Sequence, residues 1–298
     1  MVKKKLITRR DFMLAGSSMA VGGLLGLPLA GSSKAGKAEK SRVVLIRDEN
    51  VLDEQKKPRK DRLLSMLDEA IKTLFDRNDP LSAWGTLVGP KDIVGVKSNV
   101  WHYLPTPRDL ELVILKRLMG SGVKEENISF DDRGVRRNPV FQHSTVLINV
   151  RPMRTHHWAG LGTLIKNYIM FVSWPPRYHG NACENLGAIW KRPEIEGKTR
   201  LNILVMLTPL FHGIGPHHFR RRYTWPYCGL IVAEDPVAAD ATGARIIQIK
   251  RNAFFMEKRP IRPPLRHIAA ADKKFKLGHS HPDMIELIKL GWDRDVLI

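Results

Sequence analysis

From Ser41 onward, continuous apolar runs alternate with segments of helical periodicity, and this alternation constrains the fold more than any other feature. Residues 42–47 and 92–97 are short runs rich in Val and Ile, the pattern of strands that are covered on both faces. Between them, residues 60–77 place apolar side chains at the spacing of an amphipathic helix. The alternation predicts an α/β fold, a mainly parallel sheet with helices on both faces.

The rest of the chain follows the same pattern. Further strands are predicted at 128–131, 145–150, 201–207 and 229–233. Further helices are predicted at 107–120, 161–171 and 235–250, with a short terminal helix over 281–290. Two irregular stretches, 172–200 and 208–228, exceed ordinary connection lengths, so we expect long site-forming loops there.

Residues 1–38 are typical of a targeting segment. Arg9 and Arg10 precede a weakly apolar, glycine-rich run over 15–30 that ends in small and basic residues. This order indicates a twin-arginine (Tat) signal peptide, because the run is short and glycine-interrupted for a bilayer span. We therefore expect the Tat export machinery as a partner, a periplasmic or extracytoplasmic location, and no stable membrane span after signal cleavage. Residues 41–298 are predicted to form a single α/β domain.

The formal net charge of the chain is +19, from 49 Lys and Arg against 30 Asp and Glu. Residues 1–38 hold seven basic side chains and one acidic side chain, so the remaining chain carries +13. A basic surface of this size favours a small anionic ligand or an acidic protein partner. No helix-turn-helix, RNA-binding aromatic strand or zinc-finger spacing is present, so nucleic acid is not expected as a partner.

The chain has two cysteines, Cys183 and Cys228. This number excludes a disulfide scaffold and a Cys-x-x-Cys metal site, so an iron–sulfur cluster on the chain's own cysteines is not expected. Export would permit the two thiols to pair, and the sequence leaves that question open. Familiar hydrolase, phosphate-loop and metalloprotease motifs are also missing from the sequence, so no reaction class is assigned.

Polar side chains follow several predicted strands. Lys97 and Asn99 come after the second strand, residues 131–133 after the third, and Glu234 and Asp235 after the last. Because ligands of open parallel sheets bind outside the carboxyl ends of the strands, we expect a site at this edge. Lys97 and Asn99 are predicted to bind its ligand.

The segment that follows the fourth strand carries the first group of candidate side chains. Arg154, Thr155 and His156 are predicted to bind an anionic or metal-bound ligand. His156 is the candidate acid–base catalyst or metal ligand of this group.

A second group follows in the predicted helix over 161–171. Thr163, Lys166 and Asn167 stand at i, i+3 and i+4 and share one helix face. Thr163 and Asn167 are predicted ligand-binding residues, and Lys166 is a predicted catalytic residue that holds an anionic group. Gly160 and Gly162 at the helix start predict a cradle of free backbone N–H groups. The alternative is that Lys166 and Asn167 satisfy loop carbonyls in the interior.

Three histidines, His212, His217 and His218, lie in the loop after the fifth predicted strand. Together with His156 they make a candidate transition-metal site, because clustered imidazoles suit Zn, Fe, Ni or Cu. Their spacing matches no named metal motif. The alternative is a solvated, phosphate-attracting loop, since residues 220–222 are all arginine.

A helix start is predicted at Asp235 and Pro236, with Asp235 as the cap and Pro236 at the first helical position. Asp235 is therefore interpreted as structural. Asp240, a turn and a half further on, is the predicted ligand-binding carboxylate of this helix.

Three spaced segments, 96–99, 154–167 and 234–241, together resemble the domain of unknown function 362 family. The similarity runs from about Ser41 to the C-terminus. Arg154 stands where the family usually has Lys, which keeps the charge but replaces a point charge by a planar fork. The resemblance implies frequent twin-arginine signals and, in some members, fused ferredoxin-like iron–sulfur domains. This chain has neither such a domain nor its cysteines.

Two functional hypotheses follow. The first is an exported protein that binds an anionic ligand, metal or cofactor at the carboxyl edge of its sheet, as a metal- or cofactor-dependent enzyme or a binding protein. The second is a non-catalytic accessory module whose basic surface docks an acidic redox or envelope partner.

Overall fold

Eight strands form one mixed sheet in the part of the chain that the structure, a computed structural model, describes: residues 39–213 and 219–298. The strands are β1 (Ser41–Arg47), β2 (Val94–Lys97), β3 (Ile128–Asp131), β4 (Val146–His156), β5 (Gly160–Gly162), β6 (Thr199–Leu210), β7 (Gly229–Ala233) and β8 (Ile285–Gly291). Their order is β3-β2-β4-β6-β7-β1-β8, with β5 paired to β4. The pairs β3/β2, β2/β4, β4/β6 and β1/β8 are parallel, which confirms the predicted α/β fold.

Helices cover both faces of this sheet. They are α1 (Lys60–Leu74), α2 (Pro80–Gly85), α3 (Arg108–Gly120), α4 (Pro139–Gln142), α5 (Leu164–Asn167), α6 (Gly187–Trp190), α7 (Pro236–Phe255) and α8 (Arg266–Lys273). Short 3-10 helices occur at Glu125–Asn127, Tyr168–Phe171, Pro175–Tyr178, Glu184–Leu186, Arg221–Tyr223 and Pro282–Met284.

Two apolar cores lie on opposite faces of the sheet. Alternate strand residues feed each one: Val43 and Ile231 pack with α5, α7 and α8, whereas Val44 and Val232 pack with α1, α2 and α3. Alternation of side chains along a strand is what divides the two cores. None of the helices formed by the described residues is long and apolar enough to cross a bilayer.

One main strand departs from the parallel pattern, because β7 runs antiparallel to both β6 and β1. Its carboxyl end therefore lies at the edge where β1 begins, and Ser41 Oγ donates a hydrogen bond of 2.5 Å to Asp235. The expectation that Glu234 and Asp235 join the other strand ends is wrong. The described residues of the connection from β6 to β7 form one short 3-10 helix and no crossover helix, as is typical between antiparallel neighbours.

The predicted terminal helix over 281–290 is also wrong, since Ile285–Gly291 forms strand β8. β8 pairs in parallel with β1 and covers an edge that would otherwise be open. Ile285 packs into one core and Ile288 against the other. Residues three positions apart therefore face opposite sides of the sheet, as they do in a strand and not in a helix.

The predicted helix over 161–171 is mostly replaced by other structure. β4 continues to His156 and forms a hairpin with β5, after which α5 makes a single turn. Gly160 permits this hairpin: its φ is +74°, and a Cβ there would lie 2.3 Å from the carbonyl oxygen of Pro263.

The predicted start of α7 is confirmed. Asp235 Oδ1 accepts hydrogen bonds from Val237 N at 2.7 Å and Ala238 N at 3.0 Å, and Pro236 occupies the first turn. The start of α3 is one residue later than predicted: Pro107 is its N-cap, while Thr106 Oγ1 accepts from Asn99 N.

Replacing Asp235 by Ala should lower the free energy of unfolding by about 2–3 kcal/mol, since the carboxylate also accepts from Ser41 Oγ and His279 N. Urea unfolding of the purified protein measures this loss. Asp79→Ala is the matched control, because Asp79 caps α2 through one bond, from Ser82 N, and should cost about 1 kcal/mol. Equal losses in the two variants would contradict the assignment.

Candidate functional site

Four basic side chains are buried together where β2 and β4 end, on the face covered by α5 and α7. They are Lys97 from β2, Arg151 and Arg154 from β4, and Lys166 from α5, and none is more than 5% exposed. We call these four residues the basic cluster. β4 supplies two of them because it extends beyond the end of β2, and its last residues pair with β5 and β6.

Lys97 has a counter-ion. Its Nζ donates to Asp132 Oδ1 at 2.5 Å and to the carbonyl oxygen of Ser98 at 2.8 Å. Burial lowers the pKa of Lys97 to about 8, against the attraction of Asp132. Burial opposes ionisation of Asp132, but Lys97 holds the pKa of that carboxyl below its usual value. The charges of Lys97 and Asp132 therefore balance each other inside the protein.

Asn167 ties the two strands to α5. Its Nδ2 donates to the carbonyl oxygens of Lys97 at 3.0 Å and Val150 at 3.1 Å and to Asn149 Oδ1 at 2.8 Å. Its Oδ1 accepts from Arg151 Nη1 at 3.4 Å. The side-chain amide thus makes its hydrogen bonds to the protein, and Asn167 positions the cluster. This agrees with the alternative interpretation of Asn167 as a residue that satisfies carbonyls in the interior.

Asp240 lies beneath α5 and is completely buried. Its two carboxylate oxygens accept from Leu164 N at 2.9 Å and Ile165 N at 3.0 Å. Burial raises its pKa to about 7, although these hydrogen bonds favour the ionised form. The backbone N–H groups at the start of α5 are therefore occupied by Asp240. The predicted anion cradle is wrong, since Gly160 and Gly162 lie in β5 and Asp240 fills its place.

Arg154 forms no ion pair with any carboxylate in the described part of the chain. Among the described residues, its Nε and Nη1 have no hydrogen-bond partner, and neither has Nε of Arg151. The guanidinium lies over the ring of Trp101 at 4.3 Å. A Cβ on Gly162 would lie 3.0 Å from Arg151 Nη2 and 3.5 Å from Arg154 Cζ, so this glycine gives both guanidinium groups room.

Burial and the charge of Arg151 lower the pKa of Arg154. Burying hydrogen-bond donors without acceptors lowers the stability of the fold. The loss is larger here because the donors belong to charged groups.

Lys166 contacts a thiol. Its Nζ lies 3.7 Å from Cys183 Sγ, and burial lowers its pKa to about 8, with Arg151 and Arg154 acting in the same direction against Cys183. Cys183 ends a left-handed turn in which Asn181, Ala182 and Cys183 have φ of 49°, 55° and 63°. Such conformations are unfavourable for non-glycine residues, so the surrounding structure holds this turn against Lys166.

His156 is a neutral hydrogen-bond donor in this environment. Its Nδ1 accepts from Trp158 N at 3.2 Å, so in the neutral ring the proton is on Nε2. Burial strongly lowers the pKa of His156, and the charges of Lys166 and Arg154 lower it further. The predicted acid–base role would need a bound anion to restore proton affinity.

The other predicted residues have different surroundings. Thr155 is buried with no partner for its hydroxyl among the described residues, and Thr163 Oγ1 lies 3.3 Å from His267 Nε2. Asn99 shapes the loop that carries Trp101, since its Oδ1 accepts from Trp101 N at 3.4 Å.

The predicted metal ligands are only partly described. His217 and His218 lie outside the described residues. His212 accepts at Nδ1 from Arg251 Nη1 at 3.0 Å, and burial and Arg251 lower its pKa to about 4. The described residues contain no group of three or more His, Cys, Asp or Glu arranged to hold a metal. The cations around His156 oppose a metal ion there. Cys183 and Cys228 are both buried free thiols.

Asp132 and Arg151 were expected from the sequence only as polar residues at strand ends, with no role, and Cys183 and His267 were not predicted to belong to the site. Arg151 had a signal, because it interrupts an apolar run that the structure shows to be one long strand. His267 gave none, since it lies 104 positions from its partner Thr163.

Comparisons of this chain with protein-family models, with curated proteins and with solved structures found no match. The resemblance to the domain of unknown function 362 family therefore remains a prediction, and the chemistry of the site follows from its geometry.

Asp240 gives the protein a distinct pH dependence. Its folded-state pKa of about 7 lies above its ordinary value of 3.8, so the folded chain binds more protons between these values. The contribution of Asp240 to stability should therefore fall as pH rises from about 4 to about 7, by up to about 1.4 kcal/mol per pH unit. The buried histidines with lowered pKa values, such as His156 and His212, act in the opposite direction over part of this range. Lys97 and Lys166, with lowered pKa values near 8, act at higher pH.

Urea unfolding of the wild-type protein and of Asp240→Asn across this range isolates this contribution. The stability difference between the two proteins should fall as pH rises from about 4 to about 7. Asp283→Asn is the control at an exposed site, and its stability difference from the wild type should not change with pH. A wild-type minus Asp240→Asn difference that is constant over this range would contradict the raised pKa of Asp240.

Proposed function

We propose that this protein binds a small oxyanion-containing ligand, a carboxylate or a phosphate, at the basic cluster, with Arg154 as its anchor. One observation carries the proposal: Arg154 is 5% exposed, and its Nε and Nη1 have no partner among the described residues. A guanidinium fork matches two oxygens of a carboxylate or phosphate, which would satisfy these donors.

The charge balance supports the same ligand class. The cluster has four basic side chains, and the buried carboxylates beside it are Asp132, which pairs with Lys97, and Asp240, which holds α5. Burial of an uncompensated charge costs several kcal/mol. An incoming anion would recover that cost at Arg151, Arg154 and Lys166.

The burial of the donors favours a small ligand over an acidic protein partner. Arg154 and His156 are 5% and 6% exposed, so the flat surface of a folded partner would not reach them. His156 adds a neutral donor at Nε2, and Trp101 covers the guanidinium of Arg154. Two of the three segments that resemble the domain of unknown function 362 family, 96–99 and 154–167, supply Lys97, Arg154 and Lys166 of the cluster.

Arg154→Gln tests the anchor. Titration calorimetry with inorganic phosphate, acetate and pyruvate should detect binding to the wild-type protein and at least a tenfold weaker Kd in the variant, since a charge-assisted bond contributes about 1.5–3 kcal/mol. Arg192→Gln is the matched control: it removes the same charge from an exposed side chain in the connection that precedes β6. Binding that Arg154→Gln leaves unchanged would contradict the proposal.

We also propose that the protein is exported by the twin-arginine pathway, on the order of sequence features in residues 1–38. Arg9→Lys/Arg10→Lys should prevent accumulation in the periplasm, measured by fractionation of expressing cells. Lys3→Arg/Lys4→Arg conserves charge in the same way outside the arginine pair and should leave export intact. Export of the Arg9→Lys/Arg10→Lys variant at the wild-type level would contradict this proposal.

A further inference from the structure

Lys166 is the lysine of the basic cluster that has no carboxylate partner among the described residues. Lys97 pairs with Asp132, and Arg151 donates to Asn167. Lys166 is 2% exposed, and the contact of its Nζ is Cys183 Sγ at 3.7 Å, a weak acceptor.

The surroundings of Lys166 favour the neutral amine. Burial without a carboxylate partner disfavours an ammonium, and the charges of Arg151 and Arg154 disfavour it further. With a pKa of about 8 against an ordinary 10.5, Lys166 has roughly 200- to 300-fold more neutral amine at pH 7 than an exposed lysine. Desolvation and neighbouring cations are the usual means of making a lysine nucleophilic.

An anion anchor in the same buried cluster as a nucleophilic amine, near enough for its charge to act on that amine, defines a substrate class. We propose that Lys166 forms an imine with the carbonyl carbon of a small oxo acid whose carboxylate is held by Arg154. This inference rests on the anion site proposed above and names its ligand. A short molecule that carries both a carboxylate and a carbonyl group would use both features at once.

The step is balanced without a further reactant. The lone pair of neutral Nζ attacks the carbonyl carbon, and the C=O π electrons move to oxygen. The nitrogen loses a proton, the carbinolamine oxygen is protonated, and it leaves as water while the C=N bond forms. Overall, amine, carbonyl compound and one solvent proton give a protonated imine and water. The proton on the carbinolamine oxygen comes from solvent, since the neutral ring of His156 can donate a hydrogen bond from Nε2 but does not act as an acid.

Reductive trapping tests this proposal. The full-length protein is incubated near pH 7 with glyoxylate, pyruvate or acetoacetate and sodium cyanoborohydride, and peptide mass spectrometry locates the reduced adduct. At least one oxo acid should label Lys166 stoichiometrically, and propanal, which lacks the carboxylate, should label it less. Arg154→Gln should reduce the labelling by about tenfold, as expected for loss of one charged hydrogen bond.

Two variants separate specific from general labelling. Lys166→Arg keeps the charge and should lose the adduct, whereas Lys274→Met, at an exposed lysine that donates to Asn185, should keep it. Labelling spread over surface lysines, or none at Lys166, overturns the imine. Calorimetry with the same oxo acids distinguishes the two proposals: binding without trapping overturns the imine alone, and absence of binding overturns the anion site as well.

Discussion

The carboxylate of Asp240 accepting the first backbone N–H groups of α5 is the interaction on which the site depends. α5 is a single turn and too short to be stable by itself. Anchored by Asp240, it delivers Asn167 to the ends of β2 and β4 and Lys166 to the basic cluster. Because the carboxylate is buried under this turn, it orders the site but cannot itself contact a ligand.

The second constraint is a charge imbalance that the fold does not correct. Lys97 and Asp132 form a closed pair, whereas Arg154 keeps unpaired donors below the surface. Burial of this kind lowers stability unless an anion completes it. The net positive charge of the chain suggested anionic partners in general. The positions of a few buried cations say more about which ligand the protein binds.

The sequence predicted the layered fold because strand runs and helix spacing are local signals. It failed where strand pairing decided the outcome. β8 forms because β1 has an open edge, and β7 pairs antiparallel with both β6 and β1. Similarly, Arg154, His156 and Lys166 were identified as candidates from one short segment. Cys183, which contacts Lys166, and His267, which contacts Thr163, come from other segments, and no spacing rule could have connected them.

The most direct test of the account is a crystal structure of the protein grown with selenate, an oxyanion with an anomalous signal. The account predicts an anomalous peak within hydrogen-bonding distance of the Arg154 guanidinium, with Arg151 beside it. Arg154 Nε and Nη1 bonded to protein carbonyls or carboxylates, with no peak at the cluster, would contradict it.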